Sequence, residues 1–161
     1  MGLYSHHPNA VYNDNSLNKN ILPCIMITKK RFFIAGLIAL ILNILWEFSH
    51  HSLYIDLSGI PKYSHLIIAS FTDMFIILGI IAVVSLKNKN FNWIKNPSKL
   101  DYLMVIFLGL IIAFFIEMIN LNLGRWEYTM TMPTLFGIGI SPLIQLALTG
   151  IISLIFIKQI E

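Results

Sequence analysis

Three carboxylates, Glu47, Asp73 and Glu117, lie inside long apolar stretches of the sequence. An ionisable group in hydrocarbon costs on the order of a few kcal/mol or more, so by default it marks a functional site. A carboxyl group that burial keeps protonated can donate a proton to an apolar substrate or relay one. We therefore take the three as candidate catalytic residues. The alternative is structural: they would hydrogen-bond across neighbouring helices and fix the packing.

Histidines near the first carboxylate raise the question of a metal site. Glu47 and His50 have the i, i+3 spacing of a carboxylate-bridged metal site, and His51 and His65 lie on the same side. Bundles with such sites use two Glu-x-x-His motifs plus further Glu residues, and this sequence has one. We therefore predict no metal and no cofactor. The candidate ligands, were a metal to bind, are Glu47, His50, His51 and His65.

The elements that carry these residues are apolar segments of membrane-spanning length. The chain has 161 residues, 57% of them apolar and 12% charged, with a mean hydropathy of +0.75. That is too apolar for a soluble domain of this size. Four stretches, at about 32–51, 65–86, 100–120 and 142–160, can each cross roughly 30 Å of hydrocarbon as a helix. We predict an all-α, integral membrane four-helix bundle in residues 29–161, preceded by a polar flexible tail, residues 1–28.

The distribution of Lys and Arg predicts the orientation of the bundle. Nine of the eleven Lys and Arg residues precede the first helix, lie between the second and third, or are near the C-terminus; Lys62 and Arg125 are the exceptions. Loops that carry Lys and Arg stay in the cytoplasm. We therefore predict a multi-pass protein of the cell membrane with both termini cytoplasmic and loops 52–64 and 121–141 outside. The net charge of +3 reports this topology and does not indicate a nucleic-acid partner.

This orientation gathers the polar residues in the outer half of the bundle. Glu47 lies roughly 6 Å below the outer end of its helix, Asp73 about 12 Å and Glu117 about 5 Å. Asn43 is on the same helical stripe as Glu47. Ser141 and Pro142 are expected to cap the fourth helix, which puts Gln145 in its first turn. We therefore predict one polar cavity in the outer half.

The outer loop 121–141 is expected to cover that cavity. Arg125 is predicted to pair with a buried carboxylate, Glu117 or Asp73, and so to lower its cost in the membrane. The apolar segment 135–140 is expected to dip back into the bundle. Aromatic residues of the two outer loops suit the membrane interface: Tyr54, Trp126 and Tyr128.

Several of these motifs together resemble a group of small four-helix bacterial membrane proteins without an assigned function. They are Asn43 to Glu47 with Leu53-Tyr54, Thr72-Asp73, Glu117, Gly124 to Tyr128 with Met132-Pro133, and Ser141 to Gln145. The resemblance covers most of the chain from Phe32 onward and implies no activity.

The last two helices alone are also similar to membrane-embedded carotenoid-biosynthesis proteins, of the lycopene cyclase domain and carotenoid hydratase types. Glu117, the turn at Gly124 to Trp126, Tyr128 and the Pro-led fourth helix carry this second resemblance. The cyclase domain has acidic residues just after that Pro, whereas Leu, Ile and Gln follow Pro142 here. The resemblance therefore implies only an acidic role for Glu117.

The leading hypothesis is an intramembrane enzyme or binding protein for a hydrophobic lipid or isoprenoid, reached from the outer leaflet. Glu117, Asp73 and Glu47 would be catalytic. The substrate-binding candidates are Asn43, Arg125, Trp126, Tyr128 and Gln145. One alternative is a proton- or cation-coupled transporter, which with only four helices would require a homo-oligomer; another is a structural membrane subunit without catalysis. The expected partners are membrane lipid and a hydrophobic small molecule, and the substrate and the oligomeric state stay open.

Overall fold

The computed structural model of the protein describes residues 14–159, including the side chains of residues 30–90 and 92–159. Four long helices dominate it: α1 (Asp14–His50), α2 (Lys62–Asn88), α3 (Lys99–Asn122) and α4 (Ile140–Gln159). All four contain a segment long and apolar enough, by length and composition, to cross a membrane. The predicted all-α bundle and its four spans are therefore confirmed at this level.

The helix ends differ from the hydropathy limits in two places. Residues 1–13 of the predicted tail lie outside the described residues, while residues 14–28 form the first part of α1. The fourth helix begins at Ile140, so Ser141 lies inside it. The prediction that Ser141 is the N-cap of this helix is therefore wrong. Pro142 still lies in the first turn, where the backbone N–H that proline lacks would have no partner within the helix.

The helices associate as two tight pairs, α1 with α2 and α3 with α4, and contacts between α1 and α4 join the pairs. The seam between α2 and α3 is the loosest of the four. Helices α3 and α4 approach closely at Gly109, where an added Cβ would sit 2.7 Å from the backbone nitrogen of Ala147. Only a residue without a side chain lets the two backbones approach so closely.

Apolar side chains from all four helices fill the centre of the bundle. The fully buried members include Ala39 of α1, Ile81 of α2, Val105 of α3 and Leu154 of α4. Two buried hydroxyl residues of α4, Thr149 and Ser153, also lie in this middle part of the bundle.

One end, which we call the terminal end, holds the start of the apolar part of α1, the 89–98 connection and the end of α4. Ser98 and Asp101 form a reciprocal capping box that begins α3. The Asp101 carboxylate also accepts a hydrogen bond from Lys87 at 3.0 Å, which ties α2 to α3. The Trp93 indole donates to Ser85 Oγ at 2.7 Å and closes the core at this end.

The opposite end, which we call the strand end, is covered by short strands that hydropathy does not indicate. Strand β1 (Tyr54–Asp56) pairs antiparallel with β2 (Trp126–Tyr128), so that Tyr54 faces Tyr128 and Asp56 faces Trp126. A second hairpin joins β3 (Thr134–Leu135) to β4 (Ile138–Gly139).

The β3–β4 hairpin only partly follows the prediction that segment 135–140 dips into the bundle. Ile138 and Gly139 are buried, but Phe136 at the tip is 95% exposed. The segment therefore returns to the bundle only at its C-terminal side, where Gly139 packs close to Met132 and Pro142.

Candidate functional site

Gln145 links three helices through one side-chain nitrogen. Its Nε2 donates to Glu47 Oε1 at 2.8 Å and to Asp73 Oδ2 at 2.6 Å, and lies 3.3 Å from Asn43 Oδ1. An amide nitrogen carries two hydrogens, so the longest of the three contacts shares a hydrogen with another. Gln145 and Asn43 are buried, whereas the two carboxylic side chains are partly exposed. We call these four residues the Gln145 cluster.

Within the Gln145 cluster the two acidic groups lie side by side. Glu47 Oε1 and Asp73 Oδ2 accept from the same nitrogen at 2.8 and 2.6 Å, so these two oxygens are neighbours. Two negative charges this close repel each other, which favours a proton on one of the two groups. A pair of carboxyl groups that shares one proton can release it or take up another with little rearrangement.

Glu117, the third carboxylate, lies in α3 and has a separate set of partners. Tyr128 donates to Oε2 at 2.5 Å, Trp126 donates to the same oxygen at 3.3 Å, and Tyr54 donates to Oε1 at 3.4 Å. All three donors come from β1 and β2, so the strand pairing positions them over the end of α3. We call Glu117 and these three aromatic residues the Glu117 cluster.

The two phenols of the Glu117 cluster are held in their neutral, donating form. Burial first, and then the negative charge of Glu117, raise the pKa of Tyr54 well above its ordinary value. Burial and the hydrogen bond to Glu117 likewise raise the pKa of Tyr128. The charge of Glu47 also contributes to the raised pKa of Tyr54, so the two clusters lie close enough to interact electrostatically.

The aromatic rings of the strand end form a continuous edge-to-face series. Trp46 contacts His50 with ring centroids 5.7 Å apart, and His50 contacts Tyr54 at 5.5 Å. Tyr54 then contacts both Trp126 and Tyr128. This series runs from the residue next to Glu47 to the donors on Glu117, so aromatic rings, the His50 imidazole among them, connect the two clusters.

Arg125 does not make the predicted pair with a buried carboxylate. Its guanidinium donates to Asn120 Oδ1 at 3.0 Å, and the side chain is exposed. The Asn120 amide in turn donates to the carbonyl of Ile116. The interaction therefore fastens the start of the loop to the last turns of α3, and the tyrosines and Trp126 take the place on Glu117 that we expected Arg125 to occupy.

The candidate metal ligands point to different partners. His50 Nδ1 lies 2.6 Å from the carbonyl of Trp46, and His51 Nδ1 lies 3.0 Å from that of Phe48. His65 Nδ1 contacts Asp56 at 2.5 Å. Within the described part of the chain, no group of three or more His, Cys, Asp or Glu residues is arranged to hold a metal ion.

The contact between His65 and Asp56 instead fastens the strand end. Burial alone would raise the pKa of Asp56, but hydrogen bonds from His65 and Ser58 outweigh it and hold that pKa below its usual value. The His65 ring also packs against Trp126 with centroids 6.4 Å apart. The packing of His65 against Trp126 connects the first turn of α2 to the Glu117 cluster.

The structure thus brings most of the predicted site residues together, but in two adjacent clusters. Asn43, Glu47, Asp73 and Gln145 form the first cluster, and Glu117, Trp126 and Tyr128 belong to the second. Arg125 lies outside both.

Tyr54 is the site residue that the sequence predictions missed, since it was expected only at the membrane interface. The sequence signal for its position was weak. Strands β1 and β2 have only three residues each, too few for a clear alternating pattern, and their pairing is visible only in the folded chain.

Comparisons with protein-family models, with curated proteins and with solved structures find no match to this chain.

Proposed function

We propose that the protein is an integral membrane protein of the plasma membrane, with the strand end outside and the terminal end in the cytoplasm. Large apolar side chains are exposed along the four helices, for example Phe33, Phe75 and Phe107 at 64–67%. In water such a surface would aggregate, whereas lipid covers it without cost. The excess of Lys and Arg at the terminal end supports the orientation.

The proposed activity is proton transfer to, or specific binding of, a hydrophobic lipid or isoprenoid in the outer half of the bundle. The observation that carries it is the convergence of the Glu47 and Asp73 carboxyl groups on Gln145 Nε2. A structural role alone would be met by one carboxyl group and its amide partner. Two carboxyl groups at one amide hold a transferable proton where the side chains are partly exposed.

Each cluster has its own role in this mechanism. The Glu47–Asp73 pair donates its shared proton to the substrate. Glu117, which accepts hydrogen bonds from three neutral donors, is the base that takes a proton back. The aromatic series between the clusters lies against the substrate and excludes water, which strengthens the electrostatic interactions of the site. The loosely packed seam between α2 and α3 is the proposed entry from the lipid.

The test compares Asp73→Asn and Glu117→Gln with Glu127→Gln. Glu127 is the matched control, since it is an exposed carboxylate on the same strand as two of the Glu117 donors. Lipids that co-purify with each variant, and the lipid profile of cells that carry it, are measured by mass spectrometry. We expect a specific lipid with the wild type and Glu127→Gln, and its loss or its accumulation unconverted with the other two variants. If both site variants keep the co-purifying lipid and the lipid profile of the wild type, the proposal is refuted and a structural subunit is favoured.

The structure also provides one observation in favour of the second candidate, proton- or cation-coupled transport. Thr149 and Ser153 continue from Gln145 along one buried face of α4, below the carboxylates. Each hydroxyl donates to the carbonyl one turn earlier in its own helix. Coupled flux in reconstituted vesicles that disappears in Asp73→Asn would support transport; an absence of flux in the wild type would refute it.

A further inference from the structure

Trp46 offers a hydrogen-bond donor that the protein does not use. Its indole Nε1 is buried, and no acceptor for it exists among the residues that the structure describes. Native proteins pair nearly all buried N–H groups, so an unpaired one marks a candidate position for a further hydrogen-bonding group. Trp46 directly precedes Glu47 of the Gln145 cluster, so this place adjoins the proposed site.

His50, one helical turn further on, offers the complementary acceptor. The carbonyl of Trp46 can only accept, so the short contact to His50 Nδ1 means that Nδ1 carries the hydrogen. In the neutral ring Nε2 is then an acceptor. His50 is only 8% exposed, and within residues 30–159 the Nδ1 contact is the one hydrogen bond of its ring. The Trp46 and His50 rings are in edge-to-face contact, with centroids 5.7 Å apart, so the two side chains adjoin each other.

The chemistry of this pair selects the group that it binds. A carboxylate or a fully ionised phosphate could accept from Trp46, but it cannot donate to His50 and would lie beside Glu47. An ammonium group could donate to His50, but it has no lone pair for the indole. A hydroxyl group does both and is neutral, so its burial costs little beyond the hydrogen bonds it regains.

We infer that the polar end of the ligand is a hydroxyl group that accepts from Trp46 Nε1 and donates to His50 Nε2. This inference rests on the proposed function and names its substrate class, a lipid alcohol. Leu45 and Phe48 flank Trp46 and Glu47 on α1 and are 63% and 39% exposed, so the apolar chain of such an alcohol has side chains to lie against. Water could supply the same hydroxyl chemistry, and the experiment separates the two sources.

The experiment follows the indole N–H signals of the full-length protein in lipid nanodiscs by ¹⁵N NMR. The chain has three tryptophans, and signals are assigned with Trp→Phe variants. Geranylgeraniol is the probe, and an isoprenoid hydrocarbon of the same chain length is its control. We expect the alcohol to move the Trp46 signal and the hydrocarbon to leave it. Trp93, which donates to Ser85 at the terminal end, is the internal reference and should not move.

Two substitutions that keep a ring test the same hydrogen bonds by affinity. Loss of one neutral hydrogen bond should weaken binding of the alcohol about two- to tenfold in Trp46→Phe and in His50→Phe. Binding of the hydrocarbon should be unchanged in both. Because the NMR titration uses the wild-type chain, a variant that fails to fold leaves the inference testable.

Three outcomes would overturn the inference. Equal affinity for alcohol and hydrocarbon would show that no hydroxyl is recognised, although a lipid site would stand. Magnetisation transfer from water to the Trp46 N–H that persists in saturating alcohol would identify water as the hydroxyl source. Binding of neither probe would count against the proposed lipid function itself.

Discussion

Replacing Gln145 with leucine should destabilise the protein more than any other single change to the site. Leucine has a similar size and suits a helix, so the main loss is the amide that links Asn43, Glu47 and Asp73. Under the proposed proton sharing, the Glu47–Asp73 pair carries one charge. One hydrogen bond to a charged group is worth about 1.5–3 kcal/mol and one to a neutral group about 0.5–1.5 kcal/mol. The expected loss is thus roughly 2–4.5 kcal/mol in the free energy of unfolding.

The assay is unfolding of the purified protein in detergent, followed by circular dichroism as a function of denaturant. Gln159→Leu is the matched control, since Gln159 is an exposed glutamine at the far end of the same helix. The control should stay within about 0.5 kcal/mol of the wild type. A Gln145→Leu variant as stable as the wild type would mean that the amide does not hold the carboxyl pair, and the proton-sharing mechanism would lose its basis.

Three further variants test the packing, the Glu117 cluster and the strand end. Gly109→Ala should lose about 1–3 kcal/mol of unfolding free energy because its Cβ would meet the α4 backbone. Gly79→Ala is the control, since there is open space around Gly79, and it should be neutral or stabilising. Thermal unfolding measures the stability of both variants. Tyr128→Phe should cost about 1.5–3 kcal/mol by loss of its hydrogen bond to a carboxylate, and less in a Glu117→Gln background, as a double-mutant cycle would measure. Because the pKa of Asp56 is lowered in the folded state, its contribution to stability is present above the unfolded pKa of about 3.9 and is lost as the pH falls through the folded value. Amide exchange in strand β1 should accelerate over that range in the wild type, and an Asp56→Asn variant with the same pH profile would refute the assignment.

The helical part of the fold could be predicted because its signal is local. A stretch such as 100–120 is apolar throughout, and α3 (Lys99–Asn122) exceeds it by only a few residues. The excess arises because a helix continues through polar residues as far as its caps, here to the capping box of Ser98, and hydropathy does not register those residues.

The strand end could not be predicted because its pairing is non-local. Strands β1 and β2 are three residues each, too short for a periodic signal, and they meet only after α1 and α3 are in place. Tyr54 therefore looked like an interface residue, although it lies on Glu117, 63 positions away in the chain. The same pairing supplies Trp126 and Tyr128 to Glu117, which leaves Arg125 to bind Asn120.

The sequence by itself determined four apolar helices and the placement of three carboxylates near one end of them, because length, hydropathy and helical spacing depend only on neighbouring residues. The tertiary structure alone decided which groups meet: Gln145 bonds to Glu47 and Asp73, which are 98 and 72 positions away, and Glu117 bonds to the strand aromatics. Those pairings depend on the order of the helices and on the rotation of each about its axis. Close contacts between helices, such as Gly109 against Ala147, fix both, and no single helix encodes them.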